Sequence, residues 1–334
     1  TIVILAKLNV SIQIIKLVSS IIFVLRPLLQ NYYVRKKYNM NLKDAEGNYK
    51  IKQKWDGLAQ HVAAVIHSNT DITILTFFCS LTEVSVYSVY YLVVAGIRKI
   101  IEAFSSGIDA SWGDMIAKNE YKNLNEKFDL YEVLYFIVCT IVFASAIVLI
   151  VPFVSVYTRD INDANYIRYT FGYLIVISEF IWAIRLPYSS IILAAGHFKE
   201  TRIGAWIEAI SNIVISIVLV FKFGIIGVTI GTIVAMIIRT IEFIYHTNKY
   251  ILKRNIFESI KKVFLIVIET IIIFILFKIT PQIENTSYVT WSINAIIVSI
   301  EACIVTVLLN IMMYQKDMKK IFNKVKGLLA RKEI

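Results

Sequence analysis

Only three of the 334 residues are cysteine: Cys79, Cys139 and Cys303. All three lie in apolar runs, with no CxxC and no Cys/His spacing. That excludes a zinc module or a disulfide framework and predicts buried thiols acting as small hydrophobes. The chain also lacks a Walker loop, GxGxxG, HExxH, DxD and GxSxG. No nucleotide-driven engine, dinucleotide site, zinc protease, nucleotide-sugar transferase or serine hydrolase is therefore encoded here, and the chain reads as a protein that is not an enzyme. It has no charged stretch, apolar core and cleavage site in signal-peptide order. It opens at Thr1, already apolar, so the expectation is that a longer protein continues upstream. No large hydrophilic segment interrupts the chain.

What is abundant is apolar residue: 57% of the chain, with a mean hydropathy of +0.67. Soluble domains hold roughly 45–50% apolar residues. The runs are long enough to cross about 30 Å of hydrocarbon as helices, which predicts an all-α, polytopic transmembrane bundle. We place nine spans: about Leu8 to Leu28, Trp55 to Ser80, Val84 to Gly107, Phe128 to Val151, Tyr166 to Leu193, Ile203 to Val220, Ile225 to Tyr245, Val263 to Ile279, and Val289 to Met313.

The net charge of +11 comes from 35 basic and 24 acidic side chains. Their placement argues against nucleic acid, because the bases cluster in short connections and alternate from one connection to the next. Arg35, Lys36, Lys37, Lys43, Lys50, Lys52 and Lys54 precede the second span, and the turn at Thr82 and Glu83 has none. Lys118, Lys122 and Lys127 follow, then only Arg159. Lys199 and Arg202 oppose Lys222; Lys249, Lys253, Arg254, Lys261 and Lys262 oppose Lys278. The positive-inside rule then puts the basic connections and the C-terminus in the cytoplasm and residue 1 outside. The segment with Trp112, Met115 and Ile116 reads as an interfacial amphipathic turn. The tail, with Ile321, Phe322, Val325, Leu328 and Leu329 among its lysines, reads as a basic amphipathic helix against anionic membrane lipid.

Polar side chains within spans carry the functional signal, since each is costly in hydrocarbon. Asp56, Gln60, His67 and Asp71 fall within about 60° of one another on the second span. They form either a proton- or cation-coupling site lining a cavity or a polar seam between helices, and His67 and Asp71, at i and i+4, can hydrogen-bond. Tyr87, Tyr91, Arg98 and Glu102 share a face of the third span. There, tyrosines suit sugar rings and Arg98 suits a phosphate, or Arg98 snorkels from an aromatic packing ridge. The fifth span carries Glu179, an inward Arg185, and Pro187, which predicts a kink. Gly204, Glu208, Ser211 and Asn212 share a face of the sixth span, while Arg239 and Glu242 are spaced to pair. The GxxxG at Gly227 and Gly231 predicts close helix packing without specifying a substrate. Lys16 is a further deep base, and Glu269 and Glu301 stand alone in the last two spans.

Several stretches resemble a known family. The run NTDITILTFFCSLTEVSVYSVYYLV, residues 69–93, is similar to a signature of the bacterial polysaccharide and O-antigen flippases of the multidrug/oligosaccharidyl-lipid/polysaccharide exporter superfamily. Residues 192–235, with turns at Gly196, Gly224 and Gly227, and LLQNYYVRKKY before the first basic segment, resemble the same family. The resemblance covers nearly the whole chain as many weak matches. It implies a fourteen-helix, two-lobe carrier of which the nine spans match helices six to fourteen. Residues 1–34 are then the last helix of the first lobe, 35–254 the second six-helix lobe, and 255–334 two additional helices with a basic tail. It further implies a transporter of the bacterial inner membrane that flips lipid-linked oligosaccharide, on undecaprenyl pyrophosphate, to the outer leaflet by alternating access, without a bound cofactor but with possible coupling to H+ or Na+. In that setting Asn69, Tyr87, Tyr91, Arg98 and Arg185 are candidates for the substrate cavity, and His67 and Asp71 for ion coupling. The alternatives are a multidrug or cation antiporter of the same superfamily, or a membrane polymerase or ligase of glycan assembly. The short outside connections speak against the last.

Overall fold

The apolar runs form helices, and the polar residues within them decide which side of each helix turns inward. The structure, a computed structural model, describes residues 5, 7, 8, 10–38, 53–281, 283, 284 and 287–330. Lys43, Lys50, Lys52, Arg331 and Lys332 lie outside the described residues. Residues 1–52 and 53–334 form separate units. The first contains α1 (Ile12–Tyr38), an apolar helix with no buried residue and Pro27 inside it; Lys16 is exposed there.

The second unit is a helical bundle. Its elements are α2 (Lys54–Phe78), α3 (Leu81–Ser106), α4 (Asp109–Ala117), α5 (Tyr121–Tyr157), α6 (Tyr169–Ala194), α7 (Phe198–His246), α8 (Ile256–Ile279), α9 (Tyr288–Met313) and α10 (Gln315–Ala330). Every predicted span falls on a helix, with spans six and seven forming the two arms of α7. Among the described residues, six helices are long and apolar enough to cross a membrane by length and composition. The sequence between Phe198 and Leu252 is long enough to do so twice. The 25-residue α2 and 24-residue α8 have crossing length, roughly 36–38 Å at 1.5 Å per residue. They carry more polar groups, of which His67, Thr70 and Asp71 on α2 and Ser259, Lys262 and Glu269 on α8 are buried.

Burial is inverted relative to a soluble protein. On the first arm of α7, Gly204, Glu208, Asn212 and Ser216 are buried, while Ile203, Ile207, Ile210, Val214 and Val218 are exposed. Lipid tails accept the apolar face, and the polar face must find partners inside the bundle. The aromatic core gathers around α5 and α6, where Tyr135, Phe143, Phe171 and Tyr188 are almost fully buried. The last helix pair joins it through Trp291, whose indole donates to the carbonyl of Leu149.

The alternation of charge has a spatial counterpart. The connections carrying bases meet at one end: Asn125 donates to the carbonyl of Leu252, Arg254 pairs with Asp129, and Met318 packs with Val133 and Ile137. At the opposite end, Arg168 pairs with Glu83 and Ser85 bonds Tyr166.

Several local expectations change. Trp112 and Met115 are not interfacial; α4 turns both into the core, where Trp112 meets Phe128 and Tyr131 edge-on. The ring fills the core between those aromatics, and its buried N–H has no hydrogen-bond partner among the described residues. Of the cysteines only Cys139 is buried, whereas Cys303 is exposed on α9 and Cys79 lies between.

The two arms of α7 are held by glycine. Gly224 breaks the helix at φ 53°, ψ −131°, a conformation that favours a residue without Cβ. The expected close packing is then realised: a Cβ on Gly227 would lie 2.4 Å from the carbonyl oxygen of Leu219, and one on Gly231 2.7 Å from the backbone nitrogen of Ser216. Backbone cannot yield as a side-chain tip can. Gly231→Val should therefore cost about 3 kcal/mol by overpacking, read as a lower melting temperature of the purified protein in lipid. A melt unchanged from the parent would mean that the arms separate freely.

Candidate functional site

The polar stripe of α2 faces α7 along its length. Asp56 pairs with Arg202 at 2.5 Å. Gln60 donates to the carbonyl of Phe198 at 2.6 Å and to Thr201 at 2.9 Å. This part of the stripe is the seam between helices. His67 and Asp71, further along, do not bond each other, contrary to their spacing. Different partners on α7 claim each of them.

Asn212 orders this region. Its amide nitrogen donates to His67 Nδ1 at 2.9 Å, which leaves His67 Nε2 facing Glu208, 3.8 Å away. Its amide oxygen points the other way and accepts from Ser216 Oγ at 3.0 Å, with Thr232 Oγ1 at 3.5 Å. Thr232 Oγ1 is also 2.7 Å from Asp71 Oδ1 and 3.3 Å from the carbonyl oxygen of Val228. Ser216 Oγ is 3.1 Å from that same carbonyl. Asp71 Oδ2 accepts from the Tyr87 hydroxyl at 3.3 Å.

Oxygens of Asp71, Asn212, Ser216, Val228 and Thr232 thus converge from α2 and both arms of α7, and Ser216 and Thr232 bring one hydroxyl hydrogen each. The cluster is rich in acceptors and carries one negative charge. Asp71 is buried and forms no ion pair among the described residues. Hard oxygens around one carboxylate suit a monovalent cation, because a divalent ion would leave a buried positive charge uncompensated. Among the described residues no three His, Cys, Asp or Glu side chains gather as a metal site.

Beyond His67 lies a charged hub. Glu208 pairs with Arg185, and with Arg239 at 3.6 Å. Arg239 also pairs with Glu242 at 2.6 Å, as its spacing predicts, and donates to the carbonyl of Thr201 at 2.8 Å. Arg185, Arg239 and Glu208 line a cavity of about 330 Å³ together with Gln60, His61 and Trp182. Arg98 is tied to α6 rather than snorkelling: it lies 3.5 Å from Glu179, 3.3 Å from Glu102, and 3.8 Å above the centre of the Trp182 ring. Tyr91 stacks on Tyr87 with ring centres 5.7 Å apart and remains 37% exposed, so the pair is open at one side.

The structure therefore joins Tyr87 to Asp71 and Tyr91 to Tyr87, places His67 one turn away, and sets Arg185 on the hub. Asn69 departs from this group. Two residues from Asp71, it is rotated by about 200° around the helix. It bonds its own helix at the carbonyl of Val65 and borders a different cavity with Thr73 and Phe78. Glu208, Asn212, Ser216 and Thr232 are the site residues that the candidate set missed. The spacing of four between Glu208, Asn212 and Ser216 was a usable signal. Thr232 had none, because only the fold of α7 brings its second arm back.

No protein-family model and no curated protein matches this chain. Among solved structures, the lipid II flippase MurJ in an inward closed conformation superposes with a TM-score of 0.57 at 16% identity, covering 81% of this chain and 57% of that one. The chain thus spans a little over half of that structure's length. At this identity the likeness establishes a shared helical fold. A MOP superfamily transporter from Pyrococcus furiosus and an outward-facing multidrug resistance MATE family transporter give TM-scores of 0.45 and 0.46 at 13% and 14% identity. They cover 76% of this chain and 61% of theirs, and carry no weight here.

Proposed function

We propose that this chain is part of a membrane carrier that flips lipid-linked oligosaccharide, on undecaprenyl pyrophosphate, from the inner to the outer leaflet by alternating access. The product would serve polysaccharide, O-antigen or capsule assembly in a bacterial inner membrane, with the basic end of the bundle in the cytoplasm. The observation that carries the reading is a buried, acceptor-rich cage at Asp71 bonded directly to a tyrosine pair with an open side, in a fold shared with a lipid II flippase. The cage would take a monovalent cation, Na+ or H+, and Tyr87 would report its occupancy to the face carrying Tyr91. An arriving diphosphate would compete with Glu102 and Glu179 for Arg98.

A second reading has one observation in its favour. Arg98, Arg185 and Arg239 each already face a carboxylate, so among the described residues none of these three arginines stands bare for an anion. That pattern suits a drug or cation antiporter. Complementation separates the two. The whole reading frame, expressed in a strain deleted for its own flippase, should restore surface glycan without changing drug susceptibility. Good expression with no glycan and raised drug resistance would overturn the flippase reading in favour of the antiporter.

A further inference from the structure

The last helix pair contains a carboxylate that the Asp71 cage does not use. Glu269, on α8, is 1% exposed. Asn310 of α9 donates to its Oε1 at 2.7 Å, the one hydrogen bond this carboxyl accepts among the described residues. No basic side chain pairs with it among the described residues. On α9 the Asn310 amide also donates to the carbonyl of Thr306, whose own buried hydroxyl has no partner.

A charge at this depth is expensive unless compensated. The nearest charged groups are spoken for. Lys262, on the same helix, is 2.6 Å from Glu132 and 3.2 Å from Asp129. Arg254 pairs with the same two acids. Asn310 is neutral, and so is Tyr314. What remains to compensate Glu269 is a cation small enough for the space. The cavity bordered by Glu269, Asn310, Tyr314 and Lys262 holds about 10 Å³, at the lower limit for one water and far below a hydrated metal ion.

We propose that Glu269 is a second ion site, specific for a proton, in the last helix pair. The proton sits on the carboxyl oxygen opposite the Asn310 contact, where it removes the buried charge. Its exchange route is the cavity at Tyr314 and Lys262, then the Glu132 and Asp129 carboxylates, the latter 32% exposed. The groups facing Glu269 are thus Asn310 on α9 and, through that cavity, Tyr314 and Lys262, with Glu132 paired to Lys262. Gain or loss of the proton alters the bond tying α8 to α9, the contact by which the pair would sense pH.

Infrared spectroscopy of the purified chain in lipid nanodiscs tests this without any transport assay, so it stands or falls separately from the flippase reading. At neutral pH the parent should show a carboxylic-acid carbonyl band that is missing in Glu269→Gln and shifted in Asn310→Leu. A Glu269→Gln spectrum identical to the parent in that region overturns the proposal. Should Glu269→Gln fail to fold, Glu269→Asp keeps the acid: a displaced band supports the site, and an unmoved or missing band overturns it.

Discussion

Glu208→Ala is expected to lower stability by roughly 3–5 kcal/mol, the usual cost of stranding a buried charge. Its carboxylate is the shared partner of Arg185 and Arg239 and lies near His67 Nε2. The loss falls unevenly. Arg239 keeps Glu242 at 2.6 Å and the Thr201 carbonyl at 2.8 Å, whereas Arg185 loses the carboxylate it is paired with. Removing both members of that pair should hurt less than removing one, so Glu208→Ala combined with Arg185→Leu should recover part of the loss. Glu208→Gln, which keeps the shape and a carbonyl acceptor, should fall between parent and Ala. Melting of the purified proteins in lipid measures all three. A double variant no more stable than Glu208→Ala alone would show that stranded charge is not the source of the cost.

Asp71→Asn should abolish transport while leaving the folded protein intact. Asparagine keeps one of the two oxygens that accept from Tyr87 and Thr232 and puts an amide N–H at the other position, where a hydroxyl oxygen can accept it. What disappears is the one negative charge of the cage. In the parent, a cation present at a hundred times its dissociation constant should add about 2.7 kcal/mol of stability. Melting in sodium against choline salt would read that increment, and Asp71→Asn should show none. A parent insensitive to sodium but stabilised by acid, with Asp71→Asn insensitive to both, assigns the proton instead. Sodium-dependent melting and full export in Asp71→Asn would falsify the coupling role outright. Thr232→Val, which removes one neutral ligand and no charge, should weaken the sodium effect without eliminating it.

Helix positions and the inward faces of α2 and of the first arm of α7 were legible because the bilayer enforces them. An apolar run of twenty residues has few other solutions, and Asp56, Gln60, His67 and Asp71 on one side of such a run must face protein. The same rule, applied to Trp112 and Met115, pointed to an interface and was wrong. A short helix between two spans can turn its apolar side to headgroups or to a gap in the core, and local sequence does not say which is open.

The amino-acid sequence by itself determined the helical class, the gathering of basic connections at one end and the close approach at Gly227 and Gly231. Each follows from local composition and period. Only the tertiary structure decided which polar groups meet. His67 and Asp71 are well spaced for each other, yet Asn212 and Thr232 take them, because the break at Gly224 folds the second arm of α7 against the first. Asn69 sits within the motif that prompted the resemblance, yet it points away from Asp71. Hydrogen bonds across 145 and 161 residues of chain depend on how helices cross, and no local pattern records that.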